Sequence, residues 1–291
     1  MTYVTREANT AEEFLEMLSP MSATWDQGTY VFRGQCDANF GLTPSVFRDS
    51  KITPVRRFMA GDAVTMIEQV WHEVELLRSF LGSCNVSGLK VPGYTHALHE
   101  QINRNKSDLT NVPSLWPPRD FYEVLAVAQH HGLPTRLLDW TRRSYVAAYF
   151  AGSSALEQED VPEYIAVWAL NIAKSHEWDS VAVVDMPGGT SINLAAQSGL
   201  FTLPITMIGG EQPFTARPLE QVPEIYEHNP YGLPLIRYKL PYRQVPRLLE
   251  LCNRFGVSGA TLFPGYEGVA RHVKDLGRSA AIRQAPIKDD L

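Results

Sequence analysis

Apolar positions recur at two spacings along this chain, and the spacing decides which element each segment can form. Ala63, Met66, Val70, Val74 and Leu77 lie three or four residues apart, which puts them on one face of a helix. A helix is therefore expected from Asp62 to Phe80. Phe121, Val124, Leu125 and Ala128 repeat the pattern between Asp120 and His130. Asp120 has the character of an N-cap, Glu123 follows three residues on, and Gly132 with Pro134 supplies the stop. Thr10 and Glu13 have capping-box spacing, so a first helix runs from there to about Leu18. Shorter helices are expected at His96–Ile102, Ser144–Ala151, Arg243–Phe255 and Gly268–Leu276. A short helix or turn is expected at Ile192–Gln197.

Runs of β-branched and aromatic residues alternate with these helices. Thr29 to Arg33 reads as a strand that delivers Arg33 to its end beside Gly34. Leu137 to Trp140 reads as a short strand or turn, and Tyr164 to Leu170 as a buried strand. Residues 180–184, Leu235–Lys239 and Gly259–Phe263 complete the set. Glycine and proline break up residues 82–118, and the stretch from about 50 to 118 is read as a helical, irregular insertion within the domain. The residues from Gly277 onward are read as a loose tail. No repeat and no low-complexity linker divides the chain. The expected fold class is α+β: one domain over residues 1–291, its core about 10–275, with small mixed or antiparallel sheets and flanking helices.

Composition narrows the classes of function. Of the 291 residues, 44% are hydrophobic and 20% charged, which is ordinary globular material rather than a disordered chain. The net charge of -6 and pI near 5.8 disfavour non-specific binding to nucleic acid or to an anionic membrane. DNA is not an expected partner. Three widely spaced cysteines, Cys36, Cys84 and Cys252, form neither a CxxC pair nor a disulfide framework. No apolar stretch has the length of a membrane span. The opening residues lack the apolar core of a secretory leader, and their acidic pair argues against a transit peptide. A cytoplasmic protein is expected.

Candidate chemistry concentrates in three places. Arg33 beside Gly34 suits a phosphate clamp, because a guanidinium fork matches phosphate oxygens and a glycine admits a ligand to the backbone. An arginine paired with a carboxylate in an ordinary turn would look the same. The run Gln129 to Thr141 is dense in groups that donate, accept, stack or titrate. His131 could shuttle a proton, Arg136 contact an anion, Asp139 hold an arginine, and Trp140 stack on a flat ring. Thr141 could bond a ribose or cap a helix. Equally, His131 and Asp139 could form a buried network that fixes the turn. Asn193, Gln197, Gly199 and Phe201 could line a nucleotide pocket or form a simple turn. His96 and His99 share a helix face without a third ligand, and His72-Glu73 lacks a second histidine, so no metal is expected. No nucleophile elbow, P-loop or dinucleotide-binding glycine fingerprint occurs.

Taken together these segments resemble a known family. Tyr30-Val-Phe32-Arg33-Gly34-Gln35 is similar to the Phe-Arg-Gly motif that gives the FRG domain its name. Ala128 to Thr141, followed by Val146 to Ala151, resembles its second hallmark. Ala196–Phe201 resembles a third part, and Lys239 with Phe255–Val257 and Leu262–Pro264 a fourth. The sequence departs from the family at His131, where an aromatic residue is common, and at Gly265-Tyr266-Glu267, often acidic.

A second, weaker resemblance is to mono-ADP-ribosyltransferases of the arginine–serine–glutamate type, and it implies an ADP-ribosyltransferase-like core. By that resemblance Arg33 grips the NAD pyrophosphate, and Phe32 and Gly34 beside it belong to the cofactor-binding set. Trp140 and Thr141 hold the nicotinamide ribose, and Tyr149 or Phe150 packs beneath. His131, Arg136, Asp139 and Gln197 would supply further contacts. The chemistry implied is cleavage of an N-glycosidic bond, whose cationic transition state calls for a carboxylate. Gln197 stands where the acid is expected but is an amide. Glu211, in a Gly-Gly-Glu-Gln-Pro-Phe loop, and Glu267, in a C-terminal turn, are the other candidates for that acid, and Glu267 joins Arg33 and Thr141 as the catalytic candidates. Two readings follow. One is an NAD-dependent mono-ADP-ribosyltransferase or NAD glycohydrolase, acting as a toxin or in bacterial defence on a protein or RNA acceptor. The other is a non-catalytic module that binds a nucleotide, RNA or a protein.

Overall fold

The computed structural model describes residues 3–27, 29–48, 65–104, 106–186, 196–205, 214–227 and 232–284. Its strands are β1 (Val4–Glu7), β2 (Tyr30–Gln35), β3 (Leu138–Thr141), β4 (Tyr164–Asn171), β5 (Val181–Val184), β6 (Gly199–Pro204) and β7 (Leu235–Pro241). They form one seven-stranded sheet in the order β1-β7-β4-β2-β3-β6-β5, not several small ones. All neighbours are antiparallel except β1 and β7. The helices are α1 (Ala11–Met17), α2 (Met66–Val86), α3 (His96–Arg104), α4 (Lys106–Thr110), α5 (Tyr122–His130) and α6 (Ser144–Ala155). They continue with α7 (Glu224–Glu227), α8 (Val245–Arg254), α9 (Gly259–Leu262) and α10 (Tyr266–Gln284). The architecture is a single-domain α+β fold.

Strand alternation distributes the side chains of β2 between two cores. Tyr30 and Phe32 enter a cluster with Phe14 of α1, Ala147 and Ala148 of α6 and Leu248 of α8. Val31 enters a cluster on the other face with Trp140, Trp168 and Leu200. Gly34 sits where β2 meets α6. A Cβ there would collide with the Ala147 carbonyl oxygen and lie 2.5 Å from the Ala151 nitrogen. The glycine thus admits a helix, and not a ligand, to the strand.

A third cluster joins α2, α3 and α5 to β5 and β6 around Trp116, Val74 and Phe121. At its centre Arg136 Nε and Nη2 donate to the two Glu73 oxygens at 2.7 and 2.8 Å. Gln69 and the Trp116 indole donate to the same carboxylate, each at 3.0 Å. A buried ion pair is tolerated only when the remaining lone pairs are bonded in this way.

Several element ends differ from the sequence expectation. Asp62 and Ala63 lie outside the described residues, and α2 is capped by a reciprocal Thr65–Glu68 box. A 3-10 turn, Arg119–Phe121, precedes α5, so Asp120 is not its N-cap. Gly259–Leu262 is helical and not a strand, because Ser258 and Thr261 cap each other's backbone. The last helix extends past Gly277 to Gln284. Asp275 and Ser279 on its inner face are buried, and Ile282 packs against the main core, which holds those last turns down.

Candidate functional site

Phe32 on β2 lies opposite Thr141 on β3, and Thr141 lies opposite Gly199 on β6. The three sequence segments singled out for chemistry therefore occupy neighbouring strands. Arg33 stands within β2, not at its end. It follows Phe32 and so projects to the face away from α6.

The Arg33 side chain is 15% exposed and its Nη1 lies 3.6 Å from Asp139 Oδ2, on a side chain 61% exposed. The same Nη1 donates to the Asp139 carbonyl oxygen at 2.8 Å. Its Nε is buried without a hydrogen-bond partner. Burial pushes the guanidinium pKa down, and the Asp139 charge opposes that shift. Arg48 is lowered too, first by burial and then by the positive charge of Arg33. The Asp139 charge opposes the shift at both arginines.

Asp139 is oriented from its other side. Gln129 Nε2 donates to Asp139 Oδ1 at 2.6 Å, and Gln129 Oε1 accepts from the Thr135 hydroxyl. Thr135 N–H donates to Ser45 Oγ at 3.1 Å, and Ser45 Oγ donates back to the Thr135 carbonyl at 3.2 Å. The loop after β2 is thus tied to the start of β3. His130, at the end of α5, has its pKa lowered by burial and by the adjacent His131, against the charges of Glu267 and Asp139. His131 and Glu267 are both exposed, so Glu267 reaches this group as a surface charge at the first turn of α10.

Other expected site residues belong to the fold. Arg136 is held by Glu73 and is no free anion contact. Trp140 is 3% exposed in the core, with Nε1 donating to Thr202 Oγ1 at 2.9 Å, so it cannot stack on a ligand. Thr141 donates to the Gln197 carbonyl at 2.6 Å and accepts from Arg143 N–H at 3.1 Å. Gln197 Nε2 donates to the Leu262 carbonyl at 3.2 Å. Phe32 meets Trp25 edge-on at 4.9 Å on the α6 face. Tyr149 donates to Asp275 at 2.7 Å, and Phe150 packs against Phe263. Asn193 and Glu211 lie outside the described residues.

Sequence reasoning overlooked Arg48 and the orienting role of Gln129. Gln129 was legible in principle, since it stands in the same hallmark run as Asp139. Arg48 follows a glycine- and proline-containing loop and carries no local signal. Among the described residues no group of three or more His, Cys, Asp or Glu could hold a metal ion. No helix among them is long and apolar enough to cross a membrane.

Residues 28–160 match the family model of the FRG domain. The match spans β2, α2 to α5, β3 and α6, and so takes in Arg33, Gln129 and Asp139. The chain carries an FRG domain. No curated protein and no solved structure matches it.

Proposed function

We propose that the FRG domain is a non-catalytic recognition module for an anionic, nucleotide-class ligand, with NAD or ADP-ribose as the representative, held by Arg33 and Arg48. One observation carries this reading: Arg33 is a desolvated guanidinium with a buried, unbonded Nε and, among the described residues, one carboxylate, 3.6 Å from Nη1. Such a cation gains from a second anion, and phosphate oxygens fit its fork. The groups that glycosidic cleavage would require are engaged elsewhere. Trp140, Thr141 and Gln197 bond the fold, and the position expected to carry an acid holds the amide of Gln197.

Cleavage of NAD, with a toxin or defence role, is a second reading. Asp139 favours it, as an exposed carboxylate beside Arg33 that could stabilise an oxocarbenium ion. Titration of the chain with NAD, with free nicotinamide assayed in parallel, separates the two. Recognition predicts a thermal shift with NAD and with ADP-ribose and no nicotinamide. Release of nicotinamide that is lost in Asp139→Asn would replace the first reading with the second.

A further inference from the structure

The face of β2 opposite Arg33 borders a separate cleft of about 390 Å³, next to the start of α6. That volume lies in the range of small-ligand sites and suits one nucleotide better than two. Its walls are aromatic: Trp25, Tyr30, Phe32, Tyr145 and Phe255. Trp25 stands edge-on to Tyr30 and Phe32 at 5.1 and 4.9 Å, and Tyr145 and Phe255 lie 5.0 Å apart. The polar atoms of three of these rings are already engaged. Trp25 Nε1 donates to the Ser19 carbonyl, the Tyr30 hydroxyl to that of Leu233, and the Tyr145 hydroxyl to that of Leu15. What the walls offer is ring surface, which accepts any flat ring and reads no hydrogen-bond pattern.

Arg142 and Arg143 are the charged residues of the lining, which contains no acidic residue. Arg142 is held at 2.8 Å by Asp185, and both side chains are largely exposed. Such a surface pair is worth little and opens readily. Arg143 is exposed, bonds the Ala196 carbonyl at 3.5 Å, and has no carboxylate partner among the described residues. A cleft with aromatic walls and two accessible guanidiniums is complementary to a flat ring that carries an anion.

We propose that this cleft binds a mononucleotide unit, its base against the aromatic walls and its phosphate on Arg143, with Arg142 joining when it leaves Asp185. The net charge of -6 and the small volume favour a single unit over a long polyanion. The inference does not depend on Arg33 being a ligand site, since Arg33 projects to the other face of the strand.

Calorimetric titration of the full chain with AMP, adenosine, inorganic phosphate and a short oligoadenylate tests it. AMP should bind at least about tenfold more tightly than adenosine or phosphate, because each of those lacks one half of the recognition. Arg143→Ala and Phe255→Ala both change exposed residues, and each should weaken AMP about tenfold. AMP binding that neither variant alters would put the nucleotide elsewhere, including at Arg33, and would overturn this inference while leaving the proposed function standing. No AMP binding at all, or an oligoadenylate bound far more tightly than AMP with a steep salt dependence, would also overturn it.

Discussion

Gly34→Ala tests whether the glycine of the Phe-Arg-Gly motif serves packing or a ligand. The added methyl would collide with the Ala147 carbonyl oxygen and approach the Ala151 nitrogen to 2.5 Å. Both are backbone atoms of α6, so no side chain can rotate out of the way. Relief requires α6 to move off β2, which would open the cluster formed by Phe32, Ala147, Ala148 and Ala151. Overpacking of a close-packed core costs about 1–3 kcal/mol, and a clash with fixed backbone belongs at the upper end, about 3 kcal/mol. At about 2–4 °C per kcal/mol for a chain of this order of size, the melting temperature should fall by roughly 6–12 °C. Urea unfolding followed by circular dichroism reads the free energy, and a thermal melt followed in the same way reads the shift in melting temperature. A variant within about 0.5 kcal/mol of the parent, the ordinary scatter of a harmless surface change, would refute the packing account and return Gly34 to the ligand.

Other expectations follow from individual contacts. Glu73→Ala leaves the buried Arg136 guanidinium without its carboxylate and should cost about 3–5 kcal/mol in urea unfolding; a loss under about 1 kcal/mol would mean that water reaches the pair. Tyr149→Phe removes the 2.7 Å bond to buried Asp275, leaving that carboxylate the longer 3.3 Å bond from the Ser153 hydroxyl, and should cost about 1–3 kcal/mol. Burial lowers the His130 pKa, so the unfolded chain binds that proton more readily than the folded one. His130 then contributes stability that is present above the ordinary histidine range and lost as pH falls through its folded value. His130→Asn should flatten that part of the stability profile below about pH 6.5, and a profile identical to the parent's would contradict the assignment.

Periodicity made the main helices and most strands legible, because an apolar face records burial directly. It was silent where pairing partners decide. β1 has only four residues, mostly exposed, and forms through parallel pairing with β7. Gly199 to Pro204 carries the apolar run of a strand, yet its polar neighbours suggested a turn with a pocket; pairing with β3 and β5 fixes it in the sheet. The Thr-Leu-Phe run after Gly259 has β character, but the cap between Ser258 and Thr261 is local and decides the outcome. The site was legible in residue types and not in direction. A strand shows which residues alternate, but not which of them find internal partners. Asp139 beside Arg33 fits the expectation that it could hold an arginine. Arg136 met Glu73, sixty-three residues away in sequence, and Trp140 met Thr202, sixty-two away; neither partner has a local signal.

On the proposed reading the Arg33 guanidinium is an addressable anion site. Calorimetric titration of ADP-ribose into the parent chain and into Arg33→Gln, with urea unfolding of both, measures it most directly. Binding should weaken at least about tenfold in the variant, the scale of a lost charge-assisted contact, while the variant remains folded at the titration temperature. Equal affinity in the two folded proteins, or no binding to the parent, would contradict the account.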